Sequence, residues 1–334
     1  MKDTHFLRHP AIHDGTLLVQ QGDTVCIDES KGEMTSDSLF AITSISKLYT
    51  YALVFRLIDE GKLRYDARLT ELLPQTITGI LPQADAVTIR HLVDQNSGFP
   101  NYETDRQPDG SVLMDEVLHS DRRVEFHESL EILSKLPARS QLGGEKAYYA
   151  DVNAMLLGKI AEAVTGKTAE QLLSDCICQP LGLRHTHWAR GDEVIAPIRN
   201  GKTVVSCSHY LSSQVYQGGI VATNRELMRF TRAFFGGELF VKSHIMQPVF
   251  RPIQFRPLRY GSGMMQLKIA APVALFFGGI RELRGHSGIT GSFAFYAPDV
   301  DAFVTGTVNQ LRHRPYPMLF GALKHCRASR PADR

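Results

Sequence analysis

A chain of 334 residues, 43% of them hydrophobic, is long enough to bury a substantial core as one large domain or two intimately packed ones. Lys plus Arg 37 against Asp plus Glu 35 leaves a formal charge of +2, which excludes a field strong enough to argue for nucleic acid or an acidic membrane as partner. The amino end lacks the apolar core of a signal peptide and no later run approaches a membrane span, so a cytoplasmic location is expected. The five cysteines, Cys26, Cys176, Cys178, Cys207 and Cys326, are odd in number and lack zinc-type pairing, which suits reduced thiols.

In chain order, His5, His9 and His13 have the spacing of one helix face, but Pro10 breaks that helix and no metal site is expected. Residues 16–20 and 24–27 flank Gln21-Gly22-Asp23 as a β-hairpin. Next comes Ser44-x-x-Lys47, which opens an apolar run with helical spacing through Leu48, Tyr51, Ala52, Phe55, Leu57 and Ile58, with Gly61 as its stop. The helix is expected to start at or just before Ser44. Residues at i and i+3 share a face, so the Lys47 amine can lie beside the Ser44 hydroxyl and serve as its base. Taken alone, a Ser-x-x-Lys is as well explained by a polar helix N-terminus.

Further on, Thr88 reads as the N-cap of a short helix, and Ser97-Gly98-Phe99-Pro100 as a turn. The polar segment 101–144 carries a helical stretch near residues 126–136, and Tyr149 stands at the entrance of a helix that ends at Gly166. Helices fit residues 169–178 and 224–235. The carboxyl third turns to aromatic and β-branched strands at residues 260–265, 292–296 and 302–308, with a terminal helix near residues 318–326. Strands at both ends and helices between them imply an α/β (α+β) fold: an antiparallel sheet built from both chain ends, flanked by helices, with a largely helical inserted lobe. The expected division is a sheet-containing lobe of about residues 1–60 plus 245–334 and a helical lobe of about 61–244, together one unit.

Three separated motifs, Ser44-x-x-Lys47, Tyr149-x-Asp151 and His286-Ser287-Gly288, occur in the order and at the element boundaries of the serine β-lactamase and penicillin-binding-protein superfamily, and the chain resembles its class C β-lactamase-like branch. Supporting stretches are Leu57-Ile58-Asp59-Glu60-Gly61, Thr88-Ile89-Arg90-His91-Leu92, Leu156-Leu157-Gly158, Pro180-Leu181-Gly182-Leu183 and Gly218-Gly219. The resemblance covers residues 38–309. It implies that Ser44 attacks an acyl carbonyl while Lys47 and Tyr149 handle its proton, both with lowered pKa values, the Tyr149 phenolate being stabilised by the Lys47 ammonium. By the same resemblance, backbone N–H groups of Ser44 and Ile289 form an oxyanion hole, and Gly288 lets substrate approach the strand.

Two departures from the family pattern bear on substrate. His286 replaces the lysine of the common Lys-Thr-Gly, which weakens affinity for carboxylates because histidine is partly neutral at pH 7. Asp151 replaces the usual asparagine; it either holds Lys47 electrostatically or positions its loop, and it counts against β-lactam recognition. Gly166-Lys167-Thr168 and Gly201-Lys202-Thr203 lack the upstream glycine of a phosphate loop, so no cofactor is indicated. The expected function is a serine hydrolase acting through an acyl-enzyme on small ester or amide bonds, carboxylesterase-like. Alternatives are a β-lactamase, a D-alanyl carboxypeptidase or D-amino-acid peptidase, or an inactive binding module on the same fold.

Overall fold

The computed structural model describes residues 5–328. Eight strands, β1 (Gly15–Gln21), β2 (Thr24–Lys31), β3 (Arg251–Pro252), β4 (Arg259–Gly261), β5 (Met264–Lys268), β6 (Glu282–Ser287), β7 (Ser292–Ala297) and β8 (Ala302–Thr307), make one antiparallel sheet in the spatial order β2-β1-β8-β7-β6-β5-β4-β3. The two-residue turn Gly22-Asp23 joins β1 to β2, with Gly22 at φ +55° supplying the left-handed backbone such a turn requires. Because β1 pairs with β8, Thr16 opposite Thr307, the two ends of the chain meet in the middle of the sheet. The fold is thus mixed, a large antiparallel sheet flanked by helices.

Two helices cover opposite faces of this sheet. Phe235 of α3 (Asn224–Gly236) meets Tyr296 and Phe303, whereas Tyr316 of α4 (Tyr316–Ala328) meets Phe295. Neighbouring residues of a strand point to opposite faces, so the contacts of Phe295 and Tyr296 fix the two helices on different sides. Helix α1 (Ser46–Asp59) is buried almost all round, as expected of a helix apolar on every face, and packs along α2 (Asp151–Thr165). Helices are the commoner regular elements of the segment 61–244, which also adds short strands, with Ile220–Ala222 pairing both Phe40–Ala41 and His187–Trp188.

Three local expectations are corrected. The α-helix begins at Ser46, and Ser44 sits before it on a 3-10 turn, Thr43–Ile45. The helix over residues 169–178 changes pitch, Ala169–Leu173 being α-helical and Ser174–Cys178 a π-turn. Cys26 and Cys326, expected as reduced thiols, form a disulfide with Cα atoms 5.4 Å apart, tying β2 to α4. They are 300 residues apart in sequence, and only the meeting of the chain ends in the sheet brings them within bonding distance. Cys176, Cys178 and Cys207 are free. No helix among the described residues is long and apolar enough to cross a membrane.

Candidate active site

Ser44 is presented by a turn that the sheet holds from behind. Thr43 has φ +46°, an outlier for a β-branched residue, and conformations of that kind cost about 1–3 kcal/mol unless their surroundings enforce them. The enforcing contacts come from the start of β7 and the residues before it. Thr43 Oγ1 lies 3.3 Å from Ser292 Oγ, Ser292 Oγ donates to Ile42 O at 2.9 Å, and Thr290 Oγ1 donates to Ala41 O at 3.4 Å. On the other flank, Ile220 N–H donates to Ser46 Oγ at 3.0 Å. A Cβ on Gly288 would come within 1.9 Å of Thr43 Oγ1 and 2.2 Å of Ser292 Oγ. Packing against the Ser44 turn therefore requires the glycine, a constraint separate from the approach of substrate that the resemblance implied.

Lys47 is fully buried and all three of its ammonium donors have acceptors: Ser44 Oγ at 3.2 Å, Gln217 O at 2.6 Å and the Asp151 carboxylate. Asp151, at the first position of α2, also accepts from Asn101 Nδ2 at 2.8 Å. Both alternatives for Asp151 are thus met together, since it pairs with Lys47 and ties the 97–105 loop to the helix start.

The entrance to α2 is fixed by two glutamines. Gln254 clasps the Tyr149 backbone, accepting from its N–H at 2.9 Å and donating to its carbonyl at 2.7 Å. Gln95 accepts from Ala150 N–H at 2.8 Å and from Asn153 Nδ2 at 2.6 Å. The Tyr149 ring lies 5.1 Å from Lys47 Nζ, and its hydroxyl is buried near Ser44 without a well-formed hydrogen bond. Burial pushes this phenol well above its ordinary pKa, the Asp151 charge adds to the rise, and Ser44 offsets only part of it. The lowered tyrosine pKa expected from Lys47 is absent, because burial dominates and the Asp151 carboxylate adds to it.

On β6, His286 is buried beside the rings of Tyr149 and Tyr260, both at 5.8 Å. Burial, then the Lys47 charge, lowers its pKa to about 3, so it is fully rather than partly neutral at pH 7. Its Nδ1 donates to Ser287 O at 2.9 Å, which assigns the tautomer and leaves Nε2 a buried acceptor without a partner. Ser287, the next residue along the strand, points away from Ser44 and bonds Tyr316 Oη at 2.9 Å. Ile289, by contrast, lines a narrow cavity of about 40 Å³ together with Ser44, Asp151, Glu103, Gln217 and Tyr210.

The structure thus gathers Ser44, Lys47, Tyr149, Asp151 and Ile289 and sets His286 behind Tyr149, while Ser287 and the Gly288 Cα are occupied elsewhere. Sequence reasoning missed Asn101, Glu103 and Gln217. The first two lie just after the Ser97-Gly98-Phe99-Pro100 turn in a polar segment, where nothing in the sequence distinguished them from their polar neighbours.

The family model of the Beta-lactamase family matches residues 4–319. The chain belongs to that family. Family members are serine hydrolases. Among curated relatives, this Beta-lactamase family chain is 27% identical over 185 residues to penicillin-binding protein 4 of Amycolatopsis lactamdurans, covering 55% of this chain and 41% of that protein. It is 28% identical over 175 residues to esterase EstB of Burkholderia gladioli, covering 51% and 43%. The chain therefore spans less than half the length of these two relatives. Among solved structures, the D-amino acid amidase from Ochrobactrum anthropi SV3 complexed with D-phenylalanine superposes with a TM-score of 0.77 at 19% identity, covering 96% of this chain and 95% of that one. At that identity the likeness is one of fold.

Proposed function

We propose that this chain is a carboxylesterase-like serine hydrolase that acylates Ser44 and cleaves ester or small amide bonds. The observation that carries the reading is the Ser44 hydroxyl held 3.2 Å from a fully buried Lys47, on a strained turn at the mouth of a cavity. Ser44 Oγ bonds to the acyl carbon, the bond to the leaving group breaks, and the serine proton ends on the leaving oxygen or nitrogen; water then reverses the acylation.

The proton path follows from the charges. With Asp151 as its partner, Lys47 can pass one proton to that carboxylate when substrate closes the site, and the freed amine then receives the proton of Ser44. Tyr149, kept as a phenol by burial, is suited to donate to the leaving group and be reprotonated from Lys47. Ile289 and Ser44 backbone N–H groups are the candidates for stabilising the oxyanion. The neutral His286 and the carboxylate of Asp151 leave no cation free to hold a substrate carboxylate, which favours neutral acyl donors over penicillins.

Intact-mass spectrometry after incubation with 4-nitrophenyl acetate, benzylpenicillin and a D-alanyl peptide tests this. An acetyl adduct on Ser44, absent in Ser44→Ala together with a loss of turnover on the order of a thousandfold or more, is expected. Full activity in Ser44→Ala overturns the mechanism, and a kcat/KM ranking led by the penicillin overturns the esterase preference.

A further inference from the structure

From Ile269 to Ile280 twelve consecutive residues carry no polar side-chain atom, and Lys268 and Arg281 bracket the run. It forms the hairpin between β5 and β6, folded as a short helix, Ala271–Phe276, and tied at its base where Ile269 N–H donates to Arg281 O at 2.9 Å. One face of the hairpin is used by the fold. Ala274 and Ile280 are buried, and the Phe277 ring meets that of Phe320 on α4 at 5.3 Å. The other face stands in solvent, with Leu275 77% exposed, Phe276 76% and Val273 46%. A lone exposed apolar side chain needs no explanation, but three on one tip of an apolar run do.

Two features say what covers this tip. The first is charge: Lys268 and Arg281 stand at its base, while Lys324 and Arg327 reach it from α4. Of the carboxylates beside them, Glu282 is paired with Arg284 at 2.8 Å, and Asp299 is taken up by the N–H groups of Arg281 and Glu282 at 2.8 and 3.1 Å. The second is the backbone, because each carbonyl from Ala274 to Gly278 has a donor. Ala274 O accepts from the N–H groups of Phe277 and Gly279, Leu275 O from that of Gly278 and Phe277 O from that of Ile280. Lys324 Nζ donates to Phe276 O at 2.9 Å, and Arg327 Nη1 to Gly278 O. In water a helix can leave its last carbonyls to solvent, whereas in hydrocarbon each has to be answered from within.

A run of this length is too short to cross a bilayer but suits a segment lying in its interface. A protein partner fits less well. Three side chains offer roughly a few hundred Å², under the ~800 Å² that each partner gives a standard interface, and the run has no side chain to make the hydrogen bonds such interfaces carry. We propose that the hairpin 269–280 docks this protein on an anionic phospholipid surface, with Val273, Leu275 and Phe276 among the acyl chains and the four cations at the headgroup phosphates. The overall charge of +2 does not register such a cluster, because these cations are gathered at one tip. Strand β6 carries the chain from the hairpin to Gly288 at the Ser44 turn, a distance of about 20 Å, so docking leaves the catalytic groups untouched.

Flotation of the full chain with vesicles of phosphatidylcholine alone, and of phosphatidylcholine containing about one quarter phosphatidylglycerol, tests this. Binding to the mixed vesicles is expected. The double change Leu275→Ser with Phe276→Ser should weaken it about tenfold or more, and Lys268→Ser or Arg281→Ser about fivefold each, with hydrolysis of a soluble nitrophenyl ester unchanged in every variant. Leu275→Trp adds a reporter of depth: brominated acyl chains should quench it, while Trp188, the single tryptophan of the native chain, is buried and should keep its emission. Absence of the native protein from the floated mixed vesicles, flotation undiminished by the double serine change, or a Leu275→Trp protein quenched no more than the native one overturns the proposal. Self-association of the native chain without lipid, lost in the double serine variant, would assign the face to a second copy and overturn it as well.

Discussion

Replacing Asp151 by asparagine removes the partner of a lysine with no exposed surface. Breaking a buried ion pair from one side costs about 3–5 kcal/mol, since the remaining charge is left in a low-dielectric site. Lys47 has an escape, which is to fold as the neutral amine. That route is limited by the work of deprotonating a lysine of ordinary pKa 10.4, about 4.6 kcal/mol at pH 7 and about 1.9 kcal/mol at pH 9. In the variant the folded lysine binds fewer protons than the unfolded one, so stability rises with pH up to about 10.4. Urea unfolding of wild type and Asp151→Asn at pH 7 and pH 9 should therefore give a loss of about 3–5 kcal/mol that shrinks to below about 2 kcal/mol at the higher pH. A loss under about 1 kcal/mol at pH 7, or one that does not change with pH, would refute the account of Lys47 as a charge held by Asp151.

Three further outcomes are expected. Across Tyr149→Phe, Lys47→Ala and the double variant, kcat/KM for one nitrophenyl ester should fall severely in each single change and little further in the double, because the two residues pass one proton; additive penalties would separate them. His286 has a folded pKa of about 3 against an ordinary 6.5, so the unfolded state binds the extra proton and stability is lost as pH falls from 6.5 towards 3. His286→Phe should accordingly lose less in Tm between pH 7 and pH 4.5 than wild type does, and an equal loss would show that the imidazole is not buried neutral. Purified without reductant, the protein should have an intact mass two hydrogens below the reduced value, and Cys326→Ser should lower stability by roughly 2–4 kcal/mol, measured by urea unfolding.

What could be read from the sequence was the part encoded locally. The α1 periodicity, the hairpin around Gly22 and the Thr88 cap, where the Thr88 N–H donates to His91 Nδ1 at 3.1 Å, each depend on residues a few positions apart. The disulfide, the strained Thr43 and the role of Gly288 depend on residues hundreds of positions away. Gly288 was the instructive case, because a glycine after a strand reads equally as room for a ligand or room for the protein's own chain. Tyr149 shows the same limit in electrostatics: pairing it with Lys47 suggested an acidic phenol, but the sign of the shift was decided by burial and by Asp151, whose carboxylate reaches Lys47 across 103 intervening positions. Ser287 was legible as a strand residue but not as to its face, since a one-residue step along β6 turns a side chain from Tyr149 to Tyr316.

The pairing of β1 with β8 also has a cost during synthesis. Thr16 leaves the ribosome roughly 290 residues before Thr307, which at about 5–20 residues per second is an interval of roughly 15–60 s. Through that time the hairpin of β1 and β2 exists with the inner edge of β1 unpaired, showing Leu17 and Val19 that will later be fully buried. A two-stranded hairpin is marginal in water, so this edge is an open template for pairing with other chains until the last strand arrives. The nascent protein is thus most prone to aggregate before residue 302 is made, and the Ser44 turn, which leans on Ser292, can reach its strained shape only in the closing moments of translation.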